Sequence, residues 1–333
     1  MSKQYIGIDI GTSSVKMAVC EDGRVRRLAH APLPENMVRD GRILPPDEMS
    51  GFLREMKRKC RVPGRDAALI LPEQAAFFRQ IVLPAMTEAQ LAINLPYEFR
   101  DYISHEKDKY FYDYAVLRRV DDEDGKPKEL ELAAAAVLKE TIGEYRDMLR
   151  RANLRLKIAV PPIVAWSNLL RVRDAGRTEG PEPEYCLLDI GHTQTRLHLF
   201  HGRRMEMTKT IDYGCSLLDA AIAESEDVDQ YLARTYKETN YENVQGLENC
   251  VQVYNALGIE VMKALNFHAY EHRDNHLTTV YYCGGGACIA PLIEAIGRAI
   301  ALPLVSIASL LPPMDADGDD ALLCAAAIGA AQL

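Results

Sequence analysis

A short turn near the start of the chain carries groups that could bind phosphate. Gly11-Thr12-Ser13-Ser14 separates two runs of alternating apolar residues, with Asp9 just before it and Lys16 just after it. Backbone N–H groups in a turn of small residues, two hydroxyls and an ammonium group suit an anion. The carboxylate would repel phosphate, but it can hold Mg²⁺ through water. The pattern predicts a phosphate-and-magnesium hairpin, with an ordinary structural turn as the alternative.

The same pattern returns in the second half of the chain. Asp189-Ile190-Gly191 is followed by Thr193 and Thr195, again between apolar strand-like runs. An internal repeat at such a separation predicts duplicated domains that face one another. Two such hairpins could close on one phosphate chain, with Gly191, Thr193 and Thr195 on the phosphates and Asp189 on the magnesium water shell.

Two further features could bind the rest of a ligand. Gly284, Gly285 and Gly286 lie between a strand pattern and a helix pattern, and they present a surface of backbone alone. A flat ring or a phosphate fits there, although a tight turn could use one or two of them. Glu260 and Lys263 share a helix face, which is also the spacing of a surface ion pair.

The elements that must position these groups can be read from periodicity. In the first half, Arg24 to Ala31 predicts a third strand, and Asp47 is expected to cap a helix that runs to Cys60. From Arg79 to Val160 the pattern predicts a compact β-α-β-β-α-β module. Thr87 begins its first helix, which extends to Tyr102 with a bend or interruption at Pro96.

The second half predicts helices and strands that frame the repeated hairpin. A polar linker covers Arg173 to Glu184, and a polar helical subdomain covers Asp227 to Asn249. A long helix runs from Val251 to Tyr270, a strand from Val280 to Cys283, and a small-residue helix from Ala321 to Ala331.

Composition limits the function classes. The 333 residues carry a net charge of −9, with 48% hydrophobic and 26% charged residues, which is typical of a globular protein and disfavours nucleic acid or anionic lipid as the main partner. None of the eight cysteines forms a Cys-x-x-Cys, so reduced thiols are expected rather than disulfides or zinc. The sequence begins with a strand pattern and has no apolar run of about 20 residues. We therefore expect a cytoplasmic protein without direct membrane insertion.

The order of these motifs resembles the actin/sugar-kinase/chaperone ATPase superfamily. Asp9 to Lys16 resembles its first phosphate motif, Asp189 to Thr195 the second, and Cys283 to Ala287 its adenosine motif. The resemblance implies an α/β, actin-like two-lobed ATPase fold with two duplicated mixed-sheet domains. It also implies ATP and Mg²⁺ as cofactors, with Gly284, Gly285 and Gly286 at the adenosine and Glu260 and Lys263 near the ribose and base.

Within the superfamily the chain resembles the PilM family of type IV pilus assembly proteins, which are related to FtsA. The stretches that carry this resemblance are Val82 to Thr87, Asp113 to Leu117, Leu265 to Phe267 and Gly284 to Leu292. The resemblance implies an inserted 1C-type subdomain at 80–158. Subdomain 1A would comprise 1–79 and 159–180, subdomain 2A 181–212 and 251–333, and subdomain 2B 213–250.

The same resemblance implies a function and partners. The protein would be a cytoplasmic, ATP-binding scaffold of a type IV pilus, or of a related competence or secretion system. It would bind the cytoplasmic N-terminal peptide of a PilN-like membrane protein in the groove between subdomains 1A and 1C. It would thereby lie at the inner face of the cytoplasmic membrane, within the inner-membrane assembly platform, with a homo-oligomer as an option. No base or water-positioning residue is evident, so we expect slow or absent ATP hydrolysis.

Some residues depart from the family pattern, and other functions stay open. His192 stands where a small residue is usual, Pro291 stands where glycine is common, and the C-terminal amphipathic helix of FtsA-like proteins is not expected. The alternatives are an FtsA-like filament or division protein and a small-molecule kinase of the same superfamily. An activator of 2-hydroxyacyl dehydratases is disfavoured, because its pair of cluster cysteines is missing.

Overall fold

The computed structural model describes residues 4–34, 36–39, 41–176, 182–272, 274, 276–315 and 318–332, in two compact units. The first unit comprises Met1–Asn168 with Ala326–Leu333, and the second comprises Leu169–Ala325. The strands are β1 (Gln4–Ile10), β2 (Ser14–Glu21), β3 (Arg24–Pro32), β4 (Val38–Arg39), β5 (Arg42–Ile43), β6 (Asp66–Ile70), β7 (Ala76–Pro84), β8 (Tyr110–Asp121), β9 (Pro127–Leu138), β10 (Arg155–Val160), β11 (Glu184–Ile190), β12 (Thr195–His201), β13 (Arg204–Ile211), β14 (Val280–Cys283) and β15 (Leu304–Ser306). The α-helices are α1 (Pro46–Lys59), α2 (Glu88–Glu98), α3 (Lys139–Arg151), α4 (Pro162–Arg173), α5 (Ser216–Glu226), α6 (Gln230–Thr239), α7 (Glu248–Glu271), α8 (Ala290–Ala299) and α9 (Ala321–Ala331).

The main sheet of the first unit contains five strands in the order β10-β6-β1-β2-β3. β1, β2 and β3 form an antiparallel meander, while β6 pairs parallel with both β1 and β10. Alternate residues of β1 and β2, among them Ile6, Ile8, Met17 and Val19, are completely buried against α1 and α3. Residues of the other face, including Ala18 and Cys20, are also buried, so the period-two pattern marks the face of the hairpin toward α1 and α3.

The second unit repeats this arrangement with different residues. Its sheet has the order β13-β12-β11-β14-β15, in which β11 to β13 are antiparallel and β14 and β15 are added parallel to β11. α5, α7 and α8 cover one face of the core. The prediction of an α/β protein with two duplicated mixed sheets is confirmed.

A smaller sheet of three strands, in the order β7-β9-β8, belongs to the first unit. α2 packs on one face of this sheet. The helix begins as predicted, because Thr87 and Gln90 form a reciprocal capping box. It continues through Pro96 and ends at Glu98, four residues before the predicted end.

Two local predictions were wrong. Asp47 does not cap α1: the N-cap position is Pro45, and Asp47 lies in the first turn with an ion pair to Arg151. Proline at the first helical position already has the required φ, so the helix begins two residues earlier than predicted. In addition, α3 and β10 do not close a module with β7, β8 and β9. β10 pairs with β6 in the five-stranded sheet. Met148 and Leu149 of α3 are buried together with apolar residues of β1, β2 and α1, which form the main core of the first unit.

Further predictions concern the linker, the subdomain boundaries, the C-terminal helix and the cysteines. The predicted linker Arg173 to Glu184 includes residues 177–181, which are outside the described residues, and the subdomain boundaries stay predictions. α9 belongs partly to the first unit and packs on β1, where a Cβ at Gly7 would lie 1.8 Å from the Ala327 carbonyl oxygen. All eight cysteines are free thiols.

Candidate functional site

The first predicted phosphate turn is a four-residue loop that closes the β1–β2 hairpin. The Gly11 N–H donates to the Ser14 carbonyl at 3.0 Å, and the Leu33 N–H donates to the Ser13 carbonyl at 2.9 Å. Asp9 and Lys16 stand directly opposite each other, and their charged groups are 3.3 Å apart. The hairpin therefore places a carboxylate and an ammonium group side by side at the edge of a small-residue turn.

The second predicted turn has the same backbone construction. Ile190 pairs with Thr195 as Ile10 pairs with Val15, and the Gly191 N–H donates to the Gln194 carbonyl at 3.0 Å. Asp189 stands opposite Arg196, the counterpart of Lys16. Both units therefore carry a carboxylate, a glycine turn and a cation at matching positions.

The threonines of the second turn have different surroundings. Thr193 is exposed, whereas Thr195 is completely buried. The Thr195 hydroxyl donates to the Tyr213 carbonyl at 2.7 Å. In this arrangement Thr193 is open to a ligand, and Thr195 braces the base of the hairpin from inside.

The start of α5 is attached to the second turn, which the sequence did not predict. The Ser216 N–H donates to the His192 carbonyl at 2.7 Å, and the Cys215 N–H donates to the Gly191 carbonyl at 3.1 Å. A Cβ at Gly214 would lie only 2.4 Å from the His192 carbonyl oxygen. Gly214 is therefore required by this contact.

A charged cluster lies behind the same turn. Lys237 on α6 and Asp219 on α5 form an ion pair at 2.5 Å, and both are almost fully buried. His192 in the turn places its Nδ1 3.7 Å from the Asp219 carboxylate. Burial lowers the pKa of His192, Asp219 opposes this shift, and Lys237 adds to it. Charged residues at positions expected to face the core were the available sequence signal.

The three consecutive glycines have distinct surroundings. Gly284 has φ +89°, and a Cβ there would lie 2.5 Å from the Asp189 carboxylate. A Cβ at Gly286 would lie 2.2 Å from the Ile190 side chain, whereas one at Gly285 would meet nothing within 4 Å. Packing against β11 accounts for Gly284 and Gly286, and Gly285 presents open backbone next to the second hairpin.

Glu260 and Lys263 form an exposed ion pair on α7 with a distance of 2.7 Å. Within the described residues, no hydrogen bond or ion pair joins either side chain to the glycine loop. The structure thus brings Asp189, the second turn and the glycine loop together, whereas this pair lies on the exposed surface of α7.

The described ranges offer neither a metal cluster nor a membrane-spanning helix. They contain no group of three or more histidine, cysteine, aspartate or glutamate side chains suited to holding a metal ion. In the same residues, none of the helices combines the length and the apolar character required to cross a bilayer.

Comparison with known proteins adds a family and a set of similar folds. The family model described as "Type IV pilus assembly protein PilM" matches residues 7–319. The structure of a PilM–PilN type IV pilus biogenesis complex is similar with a TM-score of 0.77 and 21% identity, covering 98% of this chain and 97% of that chain. No curated protein matches the chain significantly.

Two further solved structures have related folds. The ethanolamine utilization protein EutJ from Carboxydothermus hydrogenoformans has a TM-score of 0.60 at 16% identity, covering 99% of this chain and 89% of that chain. MreB 5 of Spiroplasma citri, bound to AMPPNP, has a TM-score of 0.50 at 12% identity, covering 98% of this chain and 94% of that chain. At these identities the likeness concerns the fold alone, and it confirms the predicted actin-like architecture.

Proposed function

The chain belongs to the PilM family of type IV pilus assembly proteins, and we propose that it is an ATP-binding scaffold on the cytoplasmic side of the pilus assembly platform. The observation that carries the nucleotide part is the matching construction of the two hairpins. Each has the same turn hydrogen bond and a carboxylate opposite a cation. A duplicated turn of this kind is suited to a chain of phosphates, which has negative charge on both sides.

The residues of each unit fit parts of one nucleotide. Gly11, Thr12, Ser13 and Lys16 would bind phosphates from the first unit, and Gly191 and Thr193, braced by Thr195, would do so from the second. Gly284, Gly285 and Gly286 would face the adenosine, because Gly285 leaves open space where a side chain would stand. Glu260 and Lys263 would lie toward the ribose and base.

Magnesium would be held through water by Asp9 and Asp189, and it would neutralise charge on the phosphates. The Lys16 ammonium, 3.3 Å from Asp9, keeps that carboxylate paired when no metal is bound. We expect hydrolysis to be slow or absent, so that the bound nucleotide sets a conformation.

The partner part of the proposal concerns the face of the β7-β9-β8 sheet opposite α2. Register places three rows on this face: Phe78, Ala135 and Asp113; Gln80, Ala133 and Ala115; and Ala76, Val137 and Phe111. Ala133 and Ala135 are half-buried, although their neighbours Ala134 and Ala136 are completely buried under α2.

This face, which we call the alanine face, continues from the main core to solvent. Val137 packs into the main core at one end, where Phe111 in the same row is 52% exposed, and Val82 toward the other end is 61% exposed. A floor of small side chains with aromatic groups at its sides suits an extended apolar peptide. We propose that the cytoplasmic N-terminal segment of a PilN-like membrane protein binds here, which would hold the scaffold at the membrane.

A binding experiment tests the partner. The probe is a fluorescent peptide that copies the N-terminal residues of a PilN-like protein from the same genome. Ala133→Arg should abolish binding by filling the floor, whereas Ala92→Arg, on the exposed side of α2, should leave binding unchanged. Thermal unfolding of both variants serves as the folding control. Equal binding by wild type and a folded Ala133→Arg protein would contradict this site.

A further inference from the structure

Asp219 and Lys237 are charged residues in a place where charge is costly. Asp219 is 4% exposed and Lys237 is 6% exposed, and they lie on α5 and α6 of the second unit. Lys237 Nζ also donates to the Cys215 carbonyl at 3.3 Å. Because desolvation offsets most of the attraction in a buried ion pair, such a pair is weak evidence for a role in stability alone. Such a pair can instead set the charge and position of a neighbouring group.

The neighbour is the second phosphate turn. Asp219 lies between Lys237 and His192, whose Nδ1 is 3.7 Å from the other carboxylate oxygen. The backbone of the turn is fixed to the start of α5 through the His192 and Gly191 carbonyls. The Lys237 ammonium is attached to that same start through Cys215, so α6, α5 and the turn form one connected group.

Burial and four charged side chains shift the pKa of His192. Asp219 comes from α5, and Arg234, Lys237 and Glu238 come from α6. Burial lowers the histidine pKa, Lys237 and Arg234 lower it further, and the two carboxylates raise it. An anion bound at the turn would favour the protonated imidazole, which would then donate a charge-assisted hydrogen bond.

We infer that His192 is a phosphate-contacting residue of the second turn, and that Asp219 and Lys237 are positioning residues which set its charge and orientation. This inference rests on the proposed nucleotide site. Within that site it assigns the phosphate contact to the one ionisable side chain of the loop 191–194. It also gives the α5–α6 helix pair a direct connection to nucleotide binding.

The first test replaces the histidine. The probe is Mg-AMPPNP, and its affinity is measured by calorimetry from about pH 5.5 to about pH 8.5, across the range where histidine titrates. Wild-type affinity should be highest at low pH and fall as His192 loses its proton. His192→Gln should weaken binding about tenfold at low pH and remove this pH dependence. His201→Gln, at the far end of β12, should change neither.

The second test separates charge from packing. Asp219→Asn removes a group that raises the His192 pKa, so the fall in affinity should move to lower pH. Lys237→Met removes a group that lowers this pKa, so the fall should move to higher pH. A purely structural role would affect both variants in the same direction, because each breaks the same ion pair. The double variant removes both charges, and its profile should lie between those of the single variants.

The outcomes are distinguishable. If wild type binds no Mg-AMPPNP, both the proposed nucleotide site and this inference are overturned. If wild type binds but His192→Gln keeps the same affinity and pH profile, the inference fails and the nucleotide site stands. Parallel shifts of the two ion-pair variants would also overturn the positioning role. Because His192 is partly exposed, we expect His192→Gln to fold even if a variant of the buried ion pair does not. Its affinity and pH profile then still test the inference.

Discussion

The two hairpins share one backbone design and differ in how their charges are supported. In the first hairpin, the Asp9 carboxylate is paired within the hairpin itself, by Lys16 on the adjacent strand. In the second hairpin, the Asp189 carboxylate lies against Gly284, and the turn is held from behind by α5 and α6. Besides its internal ion pair, the first turn is bonded to Leu33 after β3, whereas the second depends on residues from three other segments.

This difference indicates how a duplicated unit can acquire separate roles. The turn hydrogen bond and the register are conserved between the halves because they are local features of a glycine-containing hairpin. The supporting residues diverge because they belong to helices with no such constraint. We expect the first turn to tolerate changes elsewhere in its unit and the second turn to respond to changes in α5, α6 and the glycine loop.

The largest expected effect comes from removing the two carboxylates. Asp9→Ala and Asp189→Ala should each reduce Mg-AMPPNP affinity by more than about 100-fold, because magnesium would lose half of its protein-held water shell. Calorimetry at neutral pH measures the effect. The free energy of unfolding of Asp9→Ala should lie within about 1 kcal/mol of the wild-type value, since the ion pair that it removes is partly exposed. Asp124→Ala, in an exposed hairpin turn, is the control. Loss in only one variant would break the proposed equivalence of the hairpins.

The glycine loop gives the next largest effect. Gly284→Ala should lower the free energy of unfolding by about 3 kcal/mol, because it adds a left-handed non-glycine residue and a clash with the second hairpin. Gly285→Ala meets no atoms and should change stability by less than about 0.5 kcal/mol. It should nevertheless weaken nucleotide binding. Denaturant unfolding measures the stability of both variants, and calorimetry measures their nucleotide affinity. Equal destabilisation would contradict the conclusion that packing requires Gly284 and not Gly285.

The two units should also differ in how their stability responds to acid. His198 is buried in β12, where its pKa is lowered to about 3 by burial and, to a lesser extent, by Arg196. Ala18 occupies the matching position of β2. Because the folded pKa lies below the unfolded value, the stabilising contribution is present above about pH 6.5 and is lost as the pH falls toward 3.

The test is His198→Ala, which makes the second hairpin resemble the first at this position. Wild type should lose about 2 kcal/mol between about pH 6.5 and about pH 5 through this residue. The variant starts less stable at neutral pH, because it leaves a cavity, but it should lose less stability on acidification. Denaturant unfolding at both pH values provides the comparison. The same loss of stability on acidification in both proteins would show that other groups control the acid response.

The smallest expected effect concerns α7. Glu260→Gln should change the free energy of unfolding by less than about 0.5 kcal/mol, because the ion pair with Lys263 is exposed. A ribose contact should make nucleotide affinity fall about threefold. Glu294→Gln, in an exposed ion pair of α8, is the matched control. Equal affinities of the two variants would leave Glu260 as a surface residue only.

Local features of the site could be predicted from the sequence, and nonlocal features could not. The hairpin at Asp9 and its copy at Asp189 were predicted because alternation and turn residues act over a few positions. Alternation could not show that the Thr195 hydroxyl points to Tyr213, since this depends on where β13 ends. The Asp219–Lys237 pair depends on how two consecutive helices pack against each other, which periodicity does not give.

The same distinction applies to the fold. Thr87 and Gln90 are three residues apart, so their capping box was within reach of sequence reasoning. The assignment of β10 to the main sheet was not, because parallel pairing with β6 joins residues far apart in the chain. The prediction that Asp47 caps α1 was wrong, because the helix already begins at the preceding residue, Pro46.

Short-range conformational preferences were enough to predict two glycine turns with adjacent carboxylates, the strands around them and a backbone-only loop. The contacts of the folded chain are needed to tell which glycines packing requires and which one is open. They also show that a buried ion pair supports the second turn. The physical reason is that burial and charge pairing are properties of contacts between distant segments, and such contacts exist only after the chain has folded.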